Sequence, residues 1–138
     1  MTHIDIRPTD RPATGNRSAR ARRAAVLVIQ VALAAQFIAG GAGKLLGIEQ
    51  MVALFDDIGA GHWLRLLAGV LEIAGGVGLL VPRLAGLAAT GLIALMAGAV
   101  VTNIFVLGIA PAMPLIFAAV AGVMAGSRRV QLAALVRR

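Results

Sequence analysis

From Ala24 to Gly47 the chain reads AAVLVIQVALAAQFIAGGAGKLLG, an almost unbroken apolar run. It supplies the roughly 20 residues a helix rising ~1.5 Å per residue needs to cross ~30 Å of hydrocarbon, and so predicts a first membrane span over residues 24–47. The run exceeds the roughly 7–15 residues of a signal-peptide core and leads into further apolar segments, so it is expected to remain in the chain. After it, Ile48, Met51, Val52, Phe55 and Ile58 recur near helical spacing, with Glu49 and Asp56 on another side. That pattern predicts a short amphipathic helix lying on the bilayer. Gly59, Gly61 and the pair His62-Trp63 break it, and Trp63 suits the headgroup level.

Residues 63–81 form a second apolar run ended by Pro82, and Arg83 opens a third over residues 84–108. Pro111 and Pro114 mark a turn into a fourth over residues 112–127, which is short for a full crossing and calls for upright packing or a thinned bilayer. The pattern predicts an all-α integral membrane four-helix bundle: four transmembrane helices, plus a short interfacial helix after the first. Residues 24–127 make the membrane domain. Before it, residues 1–23 carry six Arg and two Pro with almost no apolar periodicity, which predicts a disordered tail. After it, RRVQLAALVRR over residues 128–138 places arginine pairs around an apolar patch, as in a basic amphipathic helix at the headgroups.

Composition agrees with this pattern. Hydrophobic residues make up 59% of the 138, charged residues only 14%, and mean hydropathy is +0.90, values outside the range of soluble domains. Thirteen Lys+Arg against six Asp+Glu give a net charge of +7. These cations sit mostly at the ends of apolar runs, so they point to topology and not to nucleic acid. Six Arg precede the first span, Arg83 separates the second from the third, and four Arg follow the fourth, whereas the loop after the third has none. Both termini are therefore expected in the cytoplasm, with the protein multi-pass in a bacterial cytoplasmic (inner) membrane. With no cysteine, thiol relays and iron–sulfur ligation are excluded.

Lipid tails are as apolar as the helices, so association must come from close backbone approach and interhelical hydrogen bonds. Gly43-x-x-x-Gly47, Gly69 with Gly76, Ala94-x-x-x-Gly98-x-x-x-Thr102 and Ala118-x-x-x-Gly122-x-x-x-Gly126 each set small residues on one face. These stripes predict packing seams, with Gly43, Gly47, Gly69, Gly76, Gly98, Gly122 and Gly126 as packing residues.

Glu72 lies nine residues from either end of residues 63–81, at mid-bilayer depth. A charge there costs at least ~2.5–3.5 kcal/mol on insertion scales and needs a partner, water or neutralisation. Arg65, Gly69 and Gly76 share its face, and Arg65 is a candidate ion-pair partner. By helix rise, Gln36 lies level with Glu72, while Lys44 is about 12 Å nearer the outer surface. A Lys44–Glu72 pair is therefore expected to need long reaches and a bridging water. Thr102 and Asn103 come at roughly the depth of Lys44, so a polar pocket of Glu72, Lys44, Gln36, Asn103 and Thr102 is expected to open outward. Three roles stay open for Glu72: a structural pair, a small-molecule or proton site, and a contact to another subunit. His62 reads as interfacial, and without cysteine or a second histidine outside the tail no metal site is expected. No serine nucleophile with a base and no phosphate-cradling loop is evident, so no catalytic residue is assigned and catalysis by this chain alone is not expected.

Phe37, Gly40 and Lys44, then Phe55-x-x-x-Gly59, then Ala68-Gly69-Val70-Leu71-Glu72-Ile73-x-Gly75-Gly76 running to Leu79-Leu80-x-Pro82-Arg83, and finally Leu95-Met96-x-Gly98-Ala99, form a set of spaced motifs. Over about residues 30–126 the chain resembles the DoxX family (DoxX/DoxD-like) of small bacterial membrane proteins. The resemblance implies a four-helix membrane protein, related to the membrane subunit of thiosulfate:quinone oxidoreductase and often associated with oxidoreductase assemblies. Lys44 and Glu72 match its polar positions, and Gly69 and Gly76 its packing positions. Some relatives place a histidine late in the third span, where this chain has Thr102 and Asn103. These residues can donate hydrogen bonds to a quinone carbonyl but do not titrate near neutral pH. The leading expectation is an accessory subunit that associates with an oxidoreductase and takes a quinone or other lipophilic molecule near Glu72. The alternatives are a small proton-coupled transporter using Glu72 and a homo-oligomeric structural membrane protein.

Overall fold

The computed structural model describes residues 14–127. Five helices follow in order, without strands among the described residues: α1 (Thr14–Leu46), α2 (Glu49–Ile58), α3 (Gly61–Leu80), α4 (Ala85–Phe105) and α5 (Ala112–Ser127). Three of them, α1 from Arg17 onward, α3 and α4, are long and apolar enough to cross a membrane. The 16 residues of α5 extend about 24 Å, less than the ~30 Å of hydrocarbon. Large side chains such as Leu27, Val28, Val70, Leu87, Val101 and Ile116 are exposed, which suits a molecule solvated by lipid.

The expectation of disorder through residue 23 is corrected for residues 14–23, which continue α1. Once the apolar run nucleates a helix, extending it through Ala and Arg costs little, since both are good helix formers. The 33 residues of α1 reach about 50 Å, so the exposed Arg17, Arg20, Arg22 and Arg23 stand beyond the hydrocarbon that the rest of the helix can span. Residues 1–13 and the expected basic helix over 128–138 lie outside the described residues.

α1 and α3 run antiparallel with their backbones in close approach. A Cβ added to Gly41 would lie 2.6 Å from the Gly69 carbonyl oxygen, one on Gly69 would lie 2.9 Å from that of Gly41, and one on Gly76 would lie 2.9 Å from that of Ala34. Sequence numbers rise along one helix as they fall along the other, which fixes the register. α3 meets α4 through Gly75 against Leu92 and Gly78 against Ala88. Leu33, Ala34, Phe37, Leu79, Ala89, Leu92, Met96, Ala121 and Met124 form a buried apolar core.

Only part of the expected glycine seams is realised. Gly69 and Gly76 pack helix to helix, as do Gly41, Gly75 and Gly78, which the spacing rule passed over. Gly43 makes room for Ile48 of its own turn, and Gly47 adopts a left-handed φ of 68°. Gly98, Gly122 and Gly126 have nothing within 4 Å of an added Cβ, so within the chain they make no such seam among the described residues. Small residues permit close approach; the neighbour decides whether it occurs.

Candidate functional site

The last turn of α1 places Lys44 toward α3. There the chain reverses: the Ile48 N–H donates to the Gly43 carbonyl (3.1 Å) and the Gly47 N–H to that of Lys44 (3.4 Å), with Ile48 folded over Gly43. This is a Schellman turn, and the left-handed Gly47 makes it affordable.

Lys44 Nζ donates to Glu72 Oε2 at 2.7 Å, and both side chains are mostly buried. The expected bridging water is thus corrected to direct contact. Depth counted from span ends misplaced the partners; the α1–α3 register puts Lys44 about six residues, or ~9 Å, along the axis from the point level with Glu72. Two long side chains close that gap. Gly40 completes the arrangement, since a Cβ there would come 3.4 Å from Glu72 Oε2 and 4.0 Å from Lys44 Nζ. The signal was legible as Gly40-x-x-x-Lys44, one helical turn on one face.

Arg65 is corrected as a partner of Glu72. It is buried (5% exposed), and its guanidinium donates to the Lys44 carbonyl and to His62 Nδ1, the latter at 2.8 Å. Two turns separate Arg65 from Glu72 on α3, and the Lys44 carbonyl at the end of α1, which keeps a second lone pair beside its bond from Gly47, lies within its reach. Accepting from Arg65 leaves the His62 proton, in the neutral ring, on Nε2. At the other end of the pair, the buried Gln30 of α1 donates to the Leu79 carbonyl near the end of α3. Sequence reading missed Gln30, although a polar residue within an apolar run was the available signal. Each helix therefore lends a side chain to the C-terminal carbonyls of the other.

Beside the ion pair lies a cavity of about 480 Å³, within the size range of small-molecule pockets. Gln36, Lys44, Glu72, Thr102 and Asn103 all line it, drawn from three helices. Thr102 Oγ1 donates back to the Gly98 carbonyl (3.0 Å). The Asn103 backbone carbonyl accepts from Ile109, while its side-chain amide, like that of Gln36, has no hydrogen-bond partner among the described residues. Phe37 and Phe117, whose rings sit 5.7 Å apart at 56°, form part of the apolar wall. α2 adds Met51, Leu54, Phe55 and Ile58. An amphipathic α2 was expected to rest its apolar side on the bilayer; that side lines the cavity instead, with Phe55 buried. Left-handed glycines at both ends, Gly47 and Gly59, let the chain turn α2 back over the bundle.

The cavity thus joins one neutralised ion pair, free amides and an apolar wall. A family model of the DoxX-like family matches residues 28–126, which takes in every residue just described. The chain belongs to the DoxX-like family. No curated protein and no solved structure matches it. As a DoxX-like chain with three long apolar helices, it is a membrane protein.

Proposed function

We propose that this DoxX-like protein is an accessory subunit of the bacterial cytoplasmic membrane, associating with an oxidoreductase and holding a lipophilic small molecule, such as a quinone, in the cavity beside Lys44 and Glu72. The observation that carries the reading is the cavity itself: an apolar chamber with a 2.7 Å ion pair in its wall. An ion pair in hydrocarbon brings a desolvation cost that a purely structural site could avoid with apolar residues. In this reading α5 makes a fourth, short crossing, giving a four-helix bundle with both termini in the cytoplasm.

Tagged protein purified in mild detergent should bring down a dehydrogenase or oxidase; reproducible isolation alone counts against the accessory role. For topology, cysteines placed singly at Ser18, Asp57 and Ser127 of this cysteine-free chain are probed from outside the cell. Label at Asp57 alone is expected, and label at Ser18 overturns the orientation. A second reading, a proton-coupled permease, draws support from the Glu72 carboxylate in the cavity wall. Wild-type flux in Glu72→Gln would remove it.

A further inference from the structure

A second cavity, of about 420 Å³, lies between α3 and α4 and shares only Leu95 with the chamber beside Lys44. It is a groove whose floor follows from the helix seam. Gly75 and Gly78 of α3 let α4 approach so closely that an added Cβ would meet Leu92 at 2.5 Å and Ala88 at 2.8 Å. Gly91 continues the floor on α4, and a Cβ there would meet nothing within 4 Å. Leu71, Leu84 and Leu87 stand along its sides, all exposed to the lipid.

The length of the groove matches one leaflet. On α4 its lining runs from Leu84 to Leu95, a rise of about 16 Å, roughly half of the ~30 Å of hydrocarbon. The 20 residues of α3 span the whole thickness, so the groove begins at the bilayer face where α3 ends and stops near the centre. A membrane-spanning helix of a second copy would need a seat along the full thickness. An acyl chain of one leaflet needs only half.

Charge gathers at the end where the groove meets the bilayer face. Arg83, in the turn between α3 and α4, adjoins Leu84 at the mouth; it is exposed and has no hydrogen bond or ion pair among the described residues. α4 starts beside it with neither a side-chain cap nor an acidic residue in its first turn, so the positive end of the helix dipole adds to the arginine. None of the described carboxylates, Glu49, Asp56, Asp57 and Glu72, lies at this end. Topology accounts for cations here, but not for an apolar groove that begins at one of them.

We propose that the groove between α3 and α4 holds one acyl chain of an anionic phospholipid from the leaflet on the Arg83 side, with the lipid phosphate against Arg83. This site is separate from the chamber beside Lys44, and its occupancy does not depend on what that chamber holds.

Full-length protein in detergent micelles is titrated with phosphatidylglycerol or with phosphatidylcholine of the same acyl chains, and bound lipids are counted by native mass spectrometry. The anionic lipid should bind about fivefold more tightly, and Arg83→Gln should abolish that preference, the effect of one arginine at a membrane surface. Arg23→Gln, which removes a cation of α1 at the same end, should leave the preference nearly intact. Gly91→Leu should weaken both lipids about tenfold, because the new side chain covers the apolar floor that the acyl chain would bury. Either Arg83→Gln or Gly91→Leu is decisive should the other fail to fold. Equal binding of the two lipids to the wild type overturns the proposal, as does an equal loss in Arg23→Gln and Arg83→Gln. Lipid binding unchanged by Gly91→Leu also overturns it. So does a dimer that Gly91→Leu dissociates, which would give the groove to a second copy.

Discussion

The two sides of the bundle use the same small residues to different ends. Along α1–α3, Gly41, Gly69 and Gly76 face backbone at distances no Cβ tolerates; along α4 and α5, Gly98, Gly122 and Gly126 face open space. The first side is locked by register, two reciprocal hydrogen bonds and an ion pair. The second carries no such devices at its glycines, although α5 contributes Ala121 and Met124 to the core. On the α1–α3 side, polar contacts accompany the glycine seam and fix which residue lies opposite.

The largest effect should come from the ion pair. Lys44→Met leaves a buried carboxylate without its partner and should lower stability by about 3–5 kcal/mol. Adding Glu72→Leu should restore much of it, measured as the unfolding midpoint in mixed micelles. A single variant as stable as wild type would mean that the pair does not tie the helices together. Next comes Gly41→Ala, whose new Cβ would meet backbone at 2.6 Å; a loss of about 1–3 kcal/mol is expected from overpacking. Gln30→Leu should cost about 1 kcal/mol, the scale of an interhelical hydrogen bond in lipid. Faster amide exchange should accompany it near the end of α3.

The smallest effect belongs to the other side. Gly122→Ala meets nothing within 4 Å and should be neutral or stabilising by up to about 1 kcal/mol through helix propensity. This variant is also the sharpest probe of assembly. If Gly122→Ala destabilises the protein as much as Gly41→Ala does, the α5 stripe packs against a second copy, and the contrast between the sides dissolves into a homo-oligomer.

The apolar runs and their breakers were read directly from the chain, because hydrocarbon imposes length and composition that no tertiary contact can override. Thus Gly59 and Gly61 separate α2 from α3, and Gly108 with Pro111 precedes α5. The five polar cavity residues stood out for the same reason, as exceptions in apolar runs. Their pairing did not. Which residue faces which depends on interhelical register, and register is set by backbone contacts such as Gly41 with Gly69 that leave no periodic trace. Counting depth from span ends therefore sent Lys44 too far from Glu72, and a shared helix face offered Arg65 to Glu72 although it bonds the Lys44 carbonyl and His62. Gln30, unremarkable beside Gln36 in sequence, is buried against α3, whereas Gln36 opens to the cavity.

The exchange of donors between α1 and α3 also bears on how the protein is made. Lys44 and Arg65 are charges that hydrocarbon rejects singly; Lys44 needs the Glu72 carboxylate of α3, and the carbonyls that Arg65 and Gln30 serve each belong to the end of the opposite helix. When α1 first leaves the ribosome, its Lys44 has no carboxylate to meet. Stable seating must wait about thirty residues of synthesis, until Glu72 has followed. Insertion of this protein is therefore expected to be a paired event, α1 seating stably once α3 supplies the Glu72 carboxylate.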